Sequence, residues 1–262
     1  MINIFIFILG STVGSFLNVL IDRLPKDESI NGRSHCDYCK KKIAWYDMFP
    51  VLSFFILGGR TRCCNKKLSW QYPIIEILTG TAFLLIFNFQ FTHLRQGFDG
   101  QAIFNLISYF GLISCLIVIF VSDLKNHLIS DYILLALFTF SLLFHLTNSN
   151  QFQLFLTNFI PSALIVALPI FLIYFISKEK AMGLGDVYLV AIMGFLLGWK
   201  AGYIALYIAF VTGAIFGLIA ILLKNKKLKS KVAFGPFLVI GTVTMLFWGG
   251  KILEMIMKIY SF

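Results

Sequence analysis

The chain has 262 residues, 59% of them hydrophobic and only 13% charged, with a mean hydropathy of +0.86. A soluble domain is about a quarter charged, so this composition excludes a soluble globular protein and predicts an all-α polytopic membrane protein. The net charge of +10 does not point to nucleic acid, because in a membrane protein the distribution of Lys and Arg reports topology first.

Residues 2–21 form the first apolar run. It lacks a basic n-region and is long for the core of a signal peptide, so an uncleaved first transmembrane helix is expected. Its Gly10, Gly14, Ser15 and Asn18 suit contact with another helix better than contact with lipid. Residues 22–72 then turn polar, basic and rich in turns, and hold four of the five cysteines. The fifth, Cys115, lies in an apolar run and reads as packing. Seven further apolar runs follow in residues 73–262, near 73–91, 102–121, 128–146, 155–176, 187–199, 201–223 and 234–259. The run 187–199 is short, and Gly198-Trp199-Lys200 marks a tight turn after it. About eight spans result, packed in part through Gly194, Gly198, Gly213 and Gly217.

Lys and Arg concentrate in the loops 22–71, 122–127, 177–185 and 224–231, the last holding Lys224, Lys226, Lys227, Lys229 and Lys231. With eight spans these loops share one side. The other side carries only Arg95, Lys200, Lys251 and Lys258. The positive-inside rule then makes the basic side cytoplasmic and leaves both termini outside.

This arrangement has a chemical consequence. Asp123 closes the third span and Asp186, in Met182-Gly183-Leu184-Gly185-Asp186, opens the sixth. Both ends fall on the cytoplasmic side, at one depth. Two carboxylates that meet are the equipment of an aspartyl protease, in which one takes a proton from water while the other polarises the scissile carbonyl. Other readings stand beside this one. Asp186 could simply cap the helix that follows it, and Asp131 could be the partner of the pair or a cap of its own helix. Proton-coupled transport also uses intramembrane acids, although it places them near the middle of broken helices.

Several stretches resemble the bacterial type IV prepilin peptidases. Ala181 to Asp186 is similar to that family's Gly-x-Gly-Asp motif, with Gly183 and Gly185 as its glycines. Asp123 and Asp131 resemble its other acidic motif, here with Ser130 where the family has proline. Gly14-Ser15-Phe16-Leu17-Asn18-Val19-Leu20-Ile21-Asp22-Arg23-Leu24-Pro25, Ser34-His35-Cys36-Asp37-Tyr38-Cys39, Ile43 to Pro50 and Tyr72-Pro73-Ile74-Ile75-Glu76 follow in family order. The resemblance implies a multi-pass inner-membrane aspartyl endopeptidase with Asp123 and Asp186 as its catalytic pair. Its substrates would be type IV prepilins and type II secretion pseudopilins, met within membrane lipid and cut after glycine at the cytoplasmic face. It also implies N-methylation of the new terminus with S-adenosylmethionine, and associates Gly14, Asn18, Arg23 and Glu76 with that second activity.

The Cys36-x-x-Cys39 spacing suits a zinc knuckle. The resemblance puts the second pair at positions 61 and 64, where this chain has Thr61 and Cys64, with Cys63 as an extra cysteine. Cys36, Cys39 and Cys64 are therefore expected ligands, and Cys63 is the candidate fourth. Neighbouring side chains of an extended strand diverge, so ligation by both Cys63 and Cys64 demands a special turn. The alternative is a set of reduced, unliganded thiols in a cytosolic module.

Overall fold

A computed structural model describes residues 1–32, 34–36, 38–94, 100–148, 158–179, 182–223 and 233–260. Asp37, Arg95, Lys180, Ala181, the basic residues of 224–231 and the start of the 155–176 run lie outside the described residues. Within them the protein is helical and has no strand, only two isolated β-bridges. The helices are α1 (Ile2–Arg23), α2 (Leu52–Ile56), α3 (Gln71–Leu94), α4 (Gly100–Asn126), α5 (Asp131–Asn148), α6 (Ile160–Ser177), α7 (Leu184–Leu222) and α8 (Gly235–Tyr260).

Six of these helices are long and apolar enough to cross a membrane: α1, α3, α4, α6, α7 and α8. The shorter apolar helix Asp131–Leu146 lies within α5. The 39-residue α7 is broken at Gly198, whose φ of +78° is not helical. Only a residue without a Cβ takes that conformation readily. With this break the apolar segments expected from the sequence correspond to eight helical rods. The rod before Gly198 is the short one, about 20 Å at 1.5 Å per residue.

The chain divides into two compact units, residues 1–118 and 119–262. In the first, α1 and α3 pack along their length. A Cβ on Gly10 would stand 2.8 Å from Gly80 Cα, and one on Gly14 would stand 2.8 Å from Glu76 Cα. Gly10 and Gly14 are one turn apart, so they form a flat strip on which the backbone of α3 rests directly. Filling that strip must separate the helices. Gly10→Val is expected to cost about 1–3 kcal/mol, read as a lower melting temperature of the purified protein. An unchanged melting temperature would show that this crossing is not close in solution.

In the second unit α7 is the hub. A Cβ on Gly194 would stand 2.7 Å from Ser162 O, and one on Gly202 would stand 2.9 Å from Val166 and 3.4 Å from Gly194 Cα. The two arms of α7 thus fold back on each other around Gly198 and share a seat on α6. Tyr203 donates to Ile165 O (2.8 Å), and the buried His145 ring lies 3.0 Å from Phe195 O. Of the glycines expected to pack the later helices, Gly213 lies against Phe237, where a Cβ would stand 3.3 Å away. Gly198 and Gly217 are corrections: among the described residues nothing lies within 4 Å of where a Cβ would stand on either, so neither packs a helix crossing.

Candidate active site

Asp123 lies in the last turn of α4 and is buried, at 6% exposure. Beyond it the chain turns sharply. His127 adopts a positive φ (+52°) and donates its N–H to Asp123 O (2.9 Å), while the Ser122 hydroxyl donates to Leu128 O (3.1 Å). This turn returns the chain toward α5 and presents Ile129 to the start of α7. There a Cβ on Gly185 would stand 3.2 Å from Ile129 Cβ. The second glycine of Gly-x-Gly-Asp therefore seats α7 against the loop that follows Asp123.

Asp186 is the third residue of α7, and its carboxylate reaches back to accept the Gly183 N–H (3.2 Å). That is the capping geometry expected of an acid in a first helical turn. Capping and pairing are not exclusive here, because Asp186 also lies within electrostatic range of Asp123. The two acids expected to pair are therefore near enough to feel each other's charge. Asp131 is not part of the group. It is exposed at the start of α5, where it complements the helix dipole, and the Ser130 carbonyl accepts from Ile133 and Leu134 N–H (3.1 Å each).

A residue that sequence reasoning missed completes the centre. The Gly235 N–H, at the start of α8, donates to Asp123 Oδ2 at 2.8 Å. The sequence carried only the ordinary signal of a helix start, glycine followed by Pro236.

The first unit holds a second polar centre. Two short knuckles repeat one backbone pattern. In the first, Cys36 N–H donates to Lys41 O, Lys40 N–H donates to Cys36 O, and His35 bridges Lys42. In the second, Thr61 N–H donates to Lys66 O, Asn65 N–H donates to Thr61 O, and Arg60 bridges Lys67. All four bonds are 2.9 Å, and Lys40 and Asn65 share a positive φ (+56° and +54°). By this register Thr61 stands where Cys36 stands, Cys64 matches Cys39, and Cys63 matches Tyr38.

The demanded turn is therefore present, and it brings four sulfurs together. The Sγ atoms of Cys36, Cys39, Cys63 and Cys64 all lie within 4.8 Å of one another. Cys36–Cys64 is 3.7 Å, Cys39–Cys63 3.2 Å and Cys63–Cys64 4.0 Å. A tetrahedral zinc with Zn–S bonds of 2.3 Å requires S···S edges of about 3.8 Å. The donor set fits such an ion. As a thiol Cys63 holds its proton tightly: hydrogen bonding to Cys39, reinforced by burial, pushes it up to about 12. A divalent cation inverts that preference by binding the thiolates.

Residues associated by resemblance with methyl transfer lie beside this module. Asn18 is buried (2% exposed); its Nδ2 donates to Tyr72 O (3.2 Å) and Gly14 O (3.3 Å). Arg23 holds the Ser29 and Ile30 carbonyls (3.0 and 3.3 Å). Glu76 accepts the Val51 N–H at 2.7 Å and bonds Ser15. Glu76 thus holds the backbone amide of Val51, a residue kept at a positive φ of +63° that a β-branched side chain rarely adopts. Asn18, Arg23 and Glu76, with Asp22 and Tyr72, line a cavity of about 300 Å³. Gly14 does not line it, and its part is the helix crossing.

Comparison with known proteins gives two matches in chain order. Residues 8–90 match the Bacterial Peptidase A24 N-terminal domain, and residues 110–218 match the Type IV leader peptidase family. Proteins named prepilin leader peptidase/N-methyltransferase are similar over most of their length. That of Pectobacterium carotovorum subsp. carotovorum is 32% identical over 90% of this chain and 89% of its own. That of Legionella pneumophila is 32% identical over 92% and 90%, and that of Klebsiella pneumoniae 33% over 75% and 86%. No solved structure matches the chain. With Asp123 and Asp186 inside one matched region and the four clustered cysteines inside the other, the chain belongs to the bacterial type IV prepilin leader peptidase family.

Proposed function

We propose that this protein is a membrane aspartyl endopeptidase that removes the basic leader of type IV prepilins and type II secretion pseudopilins, cutting after glycine. It acts at the cytoplasmic face of the inner membrane, the side on which the basic loops belong. The observation that carries this reading is the convergence of Asp123 and Asp186 at two helix ends, where water meets a lipid-embedded substrate. One ionised carboxylate takes a proton from water as its oxygen attacks the scissile carbonyl carbon. The other, protonated, gives its proton to the carbonyl oxygen. Collapse of the tetrahedral intermediate breaks the C–N bond, and a proton passes to the departing amine. Acids at helix termini do not favour transport, which places them within broken helices at mid-membrane.

The same chain is proposed to N-methylate the new terminus. The cavity beside the knuckles has a size and a mixed-charge lining that suit S-adenosylmethionine, a zwitterion that also carries a sulfonium. That cofactor supplies an electrophilic methyl group. Asp22 and Glu76 offer carboxylates toward its cationic groups, and Arg23 offers a guanidinium toward its carboxylate. Zinc held by Cys36, Cys39, Cys63 and Cys64 would order the wall of that cavity to which Cys36 contributes.

Incubation of a type IV prepilin with membranes containing the protein tests both activities by mass spectrometry. The expected product begins immediately after the leader glycine and is heavier by about 14 Da per methyl group added. An intact precursor would overturn the peptidase reading. A cleaved product of unmodified mass in the presence of S-adenosylmethionine would overturn the methyltransferase reading alone.

A further inference from the structure

An acid in the last turn of a helix stands against the negative end of the helix dipole, an unfavourable placement. Asp123 occupies such a position in α4, and it is buried as well. Among its sequence neighbours only His127 interacts favourably with it, and its hydrogen-bonded support comes from elsewhere. It comes from the far end of the chain, 112 residues away, where the Gly235 N–H donates to Oδ2 at 2.8 Å. The first amides of a helix have no partner within the helix, and they carry the positive end of its dipole. The start of α8 thus offsets the penalty imposed by the end of α4.

Gly235 is also the residue that lets this happen. A Cβ at that position would stand 2.6 Å from Asp123 Oδ2, closer than real Cβ contacts come, and a tight 3.2 Å from its Cγ. The obstacle would be the reacting carboxylate itself. Six residues on, Gly241 lies directly against the Ala205 carbonyl of α7, so α8 is also pinned to the helix that carries Asp186.

We infer that Gly235 is a positioning residue of the peptidase, and that the start of α8 is a third structural element of the catalytic centre beside α4 and α7. Its N–H fixes the orientation of the Asp123 carboxylate, and its missing side chain leaves room for that carboxylate to sit beside the first turn of α8. The inference rests on the proposed role of Asp123. It extends the centre beyond residues 110–218, the region that matches the leader peptidase family.

The test is Gly235→Ala in the full-length protein, assayed on a type IV prepilin in lipid–detergent micelles beside Asp123→Asn, Gly250→Ala and Gly241→Ala. Gly250 lies on the same helix with open space around it and serves as the neutral control. For Gly235→Ala, kcat should fall about 100-fold or more, the scale of a misplaced catalytic group, with KM within threefold of wild type. If the melting temperature also falls, Gly241→Ala supplies the comparison. It strains α8 without touching an aspartate, and should lose far less kcat for an equal loss of melting temperature. Gly235→Ala within threefold of wild-type kcat overturns the inference, as does a kcat loss that merely tracks melting temperature in both variants. A fully active Asp123→Asn would instead overturn the proposed function.

Discussion

Asp123→Asn and Asp186→Asn, each alone, should lower prepilin cleavage by about 1,000-fold or more, the scale of losing one member of a catalytic unit. The two substitutions are informative because the geometry survives them. Asp123 Oδ2 accepts one N–H from Gly235, and Asp186 Oδ2 accepts one from Gly183. An asparagine Oδ1 can accept either bond. What it cannot do is take a proton from water or give an acidic one to a carbonyl oxygen. Both proteins should therefore insert and melt like wild type while conversion of precursor, followed by mass, stops. Asp131→Asn should stay within about threefold of wild type, because that side chain is exposed and its helix-dipole contribution is small. Cleavage within tenfold of wild type by either dyad variant would remove that aspartate from the reaction.

The approach of Asp123 and Asp186 to within electrostatic range was legible in the sequence because it follows from counting. Eight apolar segments and a biased distribution of lysines place the end of one span and the start of another on the same side. The turn at Gly198 was legible for a similar reason, since a run too short to continue ends there in glycine. Gly235 was not legible. Its bond joins positions 112 residues apart, and Gly-Pro before an apolar run looks the same whether or not an acid rests on it. The knuckle repeat was hidden by chemistry. Its two copies share Cys39 with Cys64 and the lysine pairs Lys41-Lys42 and Lys66-Lys67, but they differ at the position where a ligand is expected. The resemblance already put Thr61 at an expected ligand position; the backbone hydrogen bonds add that it fills the place of Cys36 in a repeated turn.

That repeat makes the metal site open to a substitution experiment with a sharp expectation. The wild-type protein should carry one zinc per chain by elemental analysis. Cys63→Ala removes one of four thiolates and should weaken zinc binding beyond the roughly 10–100-fold typical of losing an outer-shell partner. Thr61→Cys in that background should restore it. The Thr61 Oγ1 lies 3.1 Å from Cys64 Sγ, so a sulfur at this position enters the cluster from the place that Cys36 occupies in the first knuckle. Restored zinc would show that the two knuckles are equivalent and that Cys63 substitutes for a displaced ligand. A Cys63→Ala protein with wild-type zinc affinity would remove Cys63 from the site. Failure of Thr61→Cys to restore binding, in a chain that still folds, would break the equivalence. Methylation of the cleaved product should follow the zinc content through the series, because Cys36 and Thr61 both face the cavity that Asn18, Arg23 and Glu76 line. Cleavage should persist throughout, because Asp123, Asp186 and Gly235 draw every contact described for them from residues 119–262.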